Sequence, residues 1–91
     1  MNSDMLAELV GQKVVVDMHS PFVCLGTLQR MDALHLELHD ADLHDLRDTQ
    51  TTRENYVAAS QATGIKRNRR RVVLFTREVV AVARLDEVVE K

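Results

Sequence analysis

Cysteine and aromatic residues are scarce in this chain, and each shortage removes a class of function. Cys24 is the only cysteine in 91 residues, so neither an intrachain disulfide nor a cysteine-rich zinc site is available. Its place in an apolar-alternating stretch predicts a small buried hydrophobe rather than a reactive thiol. Tryptophan is absent, and Phe22, Tyr56 and Phe75 are the only aromatics. Base stacking on a row of rings, as an OB-fold does it, therefore has little to work with. Phe22, beside Pro21 in a tight turn, is the one aromatic placed for exposure, with packing on the rim of the domain an equal alternative. No run approaches the roughly 18 apolar residues that span a bilayer. The start MNSDMLAELVG has neither the basic opening nor the apolar length of a signal peptide, which makes the cytoplasm the expected location. There is no glycine-rich phosphate loop, and no serine or cysteine nucleophile stands in a recognisable pattern with histidine. An enzyme is not expected, and no cofactor is implied.

Charge is what the chain has, unevenly placed. The formal net charge is -2, yet Lys66, Arg67, Arg69, Arg70 and Arg71 concentrate five of the twelve basic residues in the run KRNRRR. The other seven face fourteen acidic groups, so one basic block stands out from an acidic background. Such a block can neutralise phosphates by counterion release, with arginine adding bidentate geometry. It can equally pair with the acidic stretch Asp40–Asp48 of the same or a neighbouring subunit.

The length allows one small domain with a modest core, whose burial neighbouring subunits could complete. Ser3 is placed to cap a short helix, with Asp4 in its first turn and Leu6, Leu9 and Val10 on one face before Gly11. Three alternating segments follow. Val14, Val16 and Met18 form one stripe, Cys24 and Leu28 another around Gly26, and Leu34, Leu36 and Leu38 a third, with His35, Glu37 and His39 on the opposite face. His19-Ser20-Pro21 and the neighbourhood of Met31-Asp32-Ala33 supply the turns. Asp40 to Gln50 reads as a polar loop. Thr51 with Glu54 reads as a capping box that opens a surface helix of about ten residues, stopped by Gly64. Val72–Phe75 and Val79–Ala83 then predict a hairpin around Thr76-Arg77-Glu78. The second of these runs is apolar on both faces, which suits a strand covered by a partner.

This order resembles the Sm-like family, including its bacterial Hfq branch. GQKVVVDM, CLGTL and LHLELHDA look like the first Sm motif, with Gly26 at the bend of the second strand and Leu36, Leu38, Asp40 and Ala41 in the Leu-x-Leu-x-Asp-Ala positions. The final hairpin looks like the second motif. The resemblance implies a mostly β fold, a small strongly bent five-stranded antiparallel barrel with a short N-terminal helix. It makes residues 1–91 a single Sm-like domain with a helical insert between strands three and four, at about 42–71. It also implies a homo-oligomeric ring of six or seven subunits, strand four of one pairing with strand five of the next, and binding of single-stranded RNA.

The residues depart from the family at its uridine pocket. His35 falls where the family's asparagine would be, Asp32 lies near its aspartate, and Ala33 or Leu34 takes the place of the stacking side chain. Phe75-Thr76 replaces the usual Arg-Gly pair, with Arg77 one position on. The candidate nucleic-acid-binding residues are therefore Asp32, His35 and Arg77 at the pore side, with Lys66, Arg67, Arg69, Arg70 and Arg71 in the basic segment. The other reading is a ring-forming scaffold or protein-interaction module that has lost the uridine pocket.

Metal binding gains no support from the spacing. His35 and His39 share a strand face about 13 Å apart at about 3.3 Å per residue, too far for one ion with Zn–N distances of about 2 Å. His39 with Asp42 or His44 in a loop has no enforced geometry. No metal site is assigned.

Overall fold

The computed structural model describes residues 4–89, which leaves the expected Ser3 cap outside the described residues. A short helix α1 (Asp4–Ala7) leads into β1 (Lys13–Met18), β2 (Phe22–Met31) and β3 (His35–Asp45). Helix α2 (Arg53–Thr63), β4 (Arg69–Phe75) and β5 (Val79–Arg84) complete the order. All the strand pairings are antiparallel, and the sheet runs β4-β3-β2-β1-β5.

The sheet is bent so strongly that residues from all five strands meet in one cluster. Val14, Val16, Cys24, Leu28, Leu36, Leu38, Ala41 and Leu74 are buried there, and Val72, Val79 and Val82 pack against them. The bend has a local cause in β3. Asp40 has a φ of 49°, and the β2–β3 register shifts between the pairs Leu25–Asp42 and Thr27–His39. An extra residue on one strand kinks it and changes which residues face inward. Inward positions accordingly pass from Leu36 and Leu38 to Ala41, with Leu43 packed behind. Gly26 lies against this kink. A Cβ there would meet the Ala41 Cβ at 3.0 Å and both the Ala41 Cα and the His39 carbonyl oxygen at 3.1 Å, so a residue without a side chain is needed at the bend.

Several expectations change here. The stretch Asp40–Gln50 is a strand as far as Asp45, because pairing with β2 carries through the kink to Phe22–Asp45. The insert therefore begins after Asp45 and ends at Asn68, and Arg69, Arg70 and Arg71 belong to β4. Leu34 lies outside the core, 66 % exposed, because the Asp32 carboxylate holds its N–H within the turn before β3. The helix cap is Thr52, whose hydroxyl accepts from the Asn55 N–H at 3.1 Å, one residue beyond the expected Thr51. The hairpin expected of Val72–Phe75 and Val79–Ala83 does not form: the chain turns at Thr76–Glu78, but β4 pairs with β3 and β5 with β1, at opposite edges of the bent sheet. In β5 the two-sided apolar run divides, with Val79 and Val82 against the core and Val80 exposed.

Helix α2 is not a bare surface helix. Val57 joins Val15, Val23, Leu25 and Leu85 in a second cluster on the outer face of β1 and β2, with Tyr56 packed beside it. The Tyr56 hydroxyl donates to the buried Asp42 carboxylate, and its ring stacks on His44 at 3.9 Å between centroids. Asn68 donates to Asp42 at 3.3 Å and exchanges hydrogen bonds with the Leu43 backbone. These contacts pin helix α2 and the end of the insert to β3. Burial, reinforced by Asp42, pushes the Tyr56 hydroxyl well above the ordinary tyrosine range. Cys24 is fully buried as expected, and burial raises its thiol pKa to about 12. No helix among the described residues is long and apolar enough to cross a membrane.

Candidate nucleic-acid interface

The β3–β4 pairing sets one surface of the sheet. Partners across two antiparallel strands share a face, and His35 pairs with Phe75, Glu37 with Val73 and His39 with Arg71. The intervening partners Leu36 and Leu74 point into the core. The outer face thus carries a double row, Phe75–Val73–Arg71 beside His35–Glu37–His39.

At the Phe75 end two turns are clipped together. The Thr76 N–H donates to the Leu34 carbonyl at 2.9 Å, and the Thr76 hydroxyl donates to the Ala33 carbonyl at 3.3 Å. Asp32 organises the first turn, its Oδ1 accepting the N–H groups of Leu34 and His35 at 2.8 Å each. The Leu34 N–H chiefly, together with His35, holds the Asp32 carboxyl below its usual range. Oδ1 also meets His35 Nδ1 at 3.0 Å. An ionised carboxylate only accepts, so Nδ1 carries the proton and a neutral His35 presents Nε2 as an acceptor. The His35 ring lies 5.5 Å from Phe75, tilted at 59°, and the Arg77 guanidinium sits 5.3 Å from the Phe75 ring centre, at cation–π distance. The structure therefore brings Asp32, His35 and Arg77 together, around an aromatic that the sequence reading assigned no exposed role. Phe75 is half exposed, and Phe22 is partly buried, in keeping with the second of its two readings, packing on the rim. Alternation from buried Leu74 was the signal that could have placed Phe75 outward.

The basic block is a separate patch except at Arg71, which lines the same depression as Asp32 and His35. Arg69 and Phe75 stand six positions apart along β4, about 20 Å at about 3.3 Å per residue. Part of its charge is already matched within the chain. Arg67 pairs with Asp40 at 3.1 Å, and Arg71 with Glu37 at 3.0 Å. Arg69 donates to the Asn68 carbonyl at 3.0 Å, while Lys66 and Arg70 are exposed. Among the described residues, the expected pairing with Asp40–Asp48 is thus met within the subunit by Arg67 alone, while Arg71 pairs with Glu37, outside that stretch.

Between the patches lies Glu37, only 8 % exposed. Its Oε1 accepts from Arg30 Nε and from Arg71 Nη2, both at 3.0 Å, and its Oε2 meets His39 Nε2 at 2.6 Å. The hydrogen bond from Arg71, with those from His39 and Arg30, lowers the Glu37 pKa to about 2. No three potential metal ligands converge among the described residues. His39 turns to Glu37, while Asp42 and His44 lie in β3 against Tyr56.

No family model matches this sequence, and no curated protein matches it. Solved structures do. A Pyrococcus abyssii Sm protein in complex with a uridine heptamer superposes with a TM-score of 0.62 at 18 % identity, over 89 % of this chain and 93 % of that one. An Sm-like protein from Archaeoglobus fulgidus superposes with a TM-score of 0.60 at 19 % identity, over 92 % and 96 %. With five antiparallel strands in one bent sheet, a short leading helix and a helix between β3 and β4, this chain has the Sm-like fold.

Proposed function

We propose that this chain is a non-catalytic RNA-binding protein of the Sm-like type, a single domain that works in the cytoplasm as a homo-oligomeric ring. The observation that carries the reading is the convergence of Asp32, His35, Phe75 and Arg77 from two turns into one exposed cluster. It offers a stacking face, a base-edge acceptor and a cation, the parts that hold a nucleotide in single-stranded RNA. The likeness to a protein seen with a uridine heptamer supports the same ligand class. Lys66, Arg67, Arg69 and Arg70 add phosphate contacts around the start of β4, and Arg71 adds one beside Glu37. Ring assembly, as a hexamer or heptamer, is supported by the sheet itself. β4 and β5 are its two outermost strands, and an unpaired edge is commonly covered by another chain.

The second reading, a ring-forming scaffold or protein-interaction module, is favoured by the Arg67–Asp40 and Arg71–Glu37 pairs, which reduce the charge available to phosphate. Fluorescence anisotropy with oligo-U, oligo-A and mixed RNA at two salt concentrations separates the two. Binding that weakens with salt, and weakens less steeply once Arg69, Arg70 and Arg71 are replaced, supports RNA binding through that segment. No binding at low salt leaves the scaffold. Native mass spectrometry reads the subunit number, and a monomer at micromolar concentration rejects the ring.

A further inference from the structure

Three strands contribute one nitrogen-bearing side chain each to Glu37: Arg30 from β2, His39 from β3 and Arg71 from β4. Arg30, Arg71 and Glu37 border a shallow depression of about 350 Å³ lined also by Met31, Asp32, His35 and Val73. Arg30 and Arg71 reach it from outside, their side chains 74 % and 57 % exposed, whereas the Glu37 side chain is 10 % exposed. Each guanidinium spends one nitrogen on Oε1, Nε from Arg30 and Nη2 from Arg71. The remaining nitrogens of both have no hydrogen-bond partner among the described residues, and they project from a fixed carboxylate anchor.

We propose that Arg30 and Arg71, oriented by Glu37, form a phosphate clamp for the phosphodiester next to the base held at Phe75. This rests on the RNA-binding reading above and names the path the strand takes, along the outer face of β3 and β4. Glu37 lies two residues from His35, about 6.6 Å along the strand, a step that one extended nucleotide covers. Guanidinium forks match phosphate oxygens in pairs, and a carboxylate that orients the fork keeps both arginines from collapsing onto other partners. Arg77 supplies the further cation at the Phe75 end. Asp32 is the other carboxylate lining the depression, and it is committed to the Leu34 and His35 turn.

The test is anisotropy with a uridine heptamer across a salt series, at fixed pH, for folded wild type and variants. Arg30→Ala is expected to weaken binding about five- to tenfold and to flatten the salt slope by about 0.7, one phosphate contact on a single strand. Arg30→Lys should restore the slope but not all the affinity, because the point charge returns without the fork. Arg47→Ala, which removes an arginine engaged with Asp45 elsewhere, should change neither. Glu37 is a positioning residue, so its sign is diagnostic. Loss of a negative charge alone strengthens RNA binding, whereas loss of the anchor weakens it. Glu37→Ala is expected to bind more weakly than wild type, and Glu37→Gln, which keeps an acceptor, at least as well as wild type. Wild-type affinity and slope in Arg30→Ala, or tighter binding by Glu37→Ala, would overturn the clamp while leaving RNA binding intact. A wild-type protein that binds no heptamer rejects the RNA reading itself.

Discussion

Gly26 and Ala41 touch across the kink between β2 and β3, so closely that a Cβ on residue 26 would stand 3.0 Å from that of Ala41. Gly26→Ala should therefore cost about 1–3 kcal/mol, the usual range for overpacking a tight core site. Two of the three nearest atoms are backbone, the Ala41 Cα and the His39 carbonyl oxygen, which cannot swing aside. Urea denaturation should show a lower midpoint at unchanged m-value. A midpoint equal to that of wild type would mean that the kink has slack.

The Tyr56 hydroxyl is the donor that ties helix α2 to the buried carboxylate of Asp42. Tyr56→Phe keeps the ring against His44 but leaves that carboxylate with Asn68 as its remaining side-chain donor. A loss of about 1–3 kcal/mol is expected, as for other buried polar groups deprived of a partner. Amide exchange should also speed up in the insert first, because this bond is one of the contacts that hold α2 to the sheet.

Acid should act through Glu37. Its pKa falls from 4.5 to about 2 on folding, chiefly through Arg71 and then His39. A depressed carboxyl stabilises the fold above its unfolded value, and the contribution fades as pH drops through the folded value. The stability gap between wild type and Glu37→Gln should be full above about pH 4.5 and close progressively toward pH 2. A gap that stays constant across this window would show that the arginines do not sense the carboxylate's charge.

Phe75 is half exposed beside His35 and Arg77, so Phe75→Ala should spare stability and strike binding. A loss of about 1–3 kcal/mol in RNA affinity is expected, the worth of one base stacked on an aromatic ring. The salt slope should stay unchanged, since no phosphate contact is removed. An equal loss from Phe22→Ala would instead indicate a general aromatic effect.

Much of the core could be read directly. Period-two alternation placed Val14, Val16, Cys24, Leu28, Leu36 and Leu38 inside, because a strand's side chains alternate whatever lies beyond it. Gly26 was legible as a bend, and Thr76-Arg77-Glu78 as a turn. Leu34 misled because alternation ignores where a strand starts, and a side-chain bond from Asp32 starts β3 one residue later.

The amino-acid sequence by itself determined the strand count, the two-residue rhythm of the core and the position of the basic block. Those depend on local side-chain order, which the chain carries in one dimension. Only the tertiary structure decided that β3 runs through Asp40 to Asp45, that Asp42 is buried under Tyr56, and that Phe75 joins His35. Each of these follows from register between strands remote in the chain. A single residue in a left-handed conformation at Asp40 resets which later side chains face the core. That shift costs little along the backbone and is repaid only by packing on β2 and β4, so no local pattern announces it.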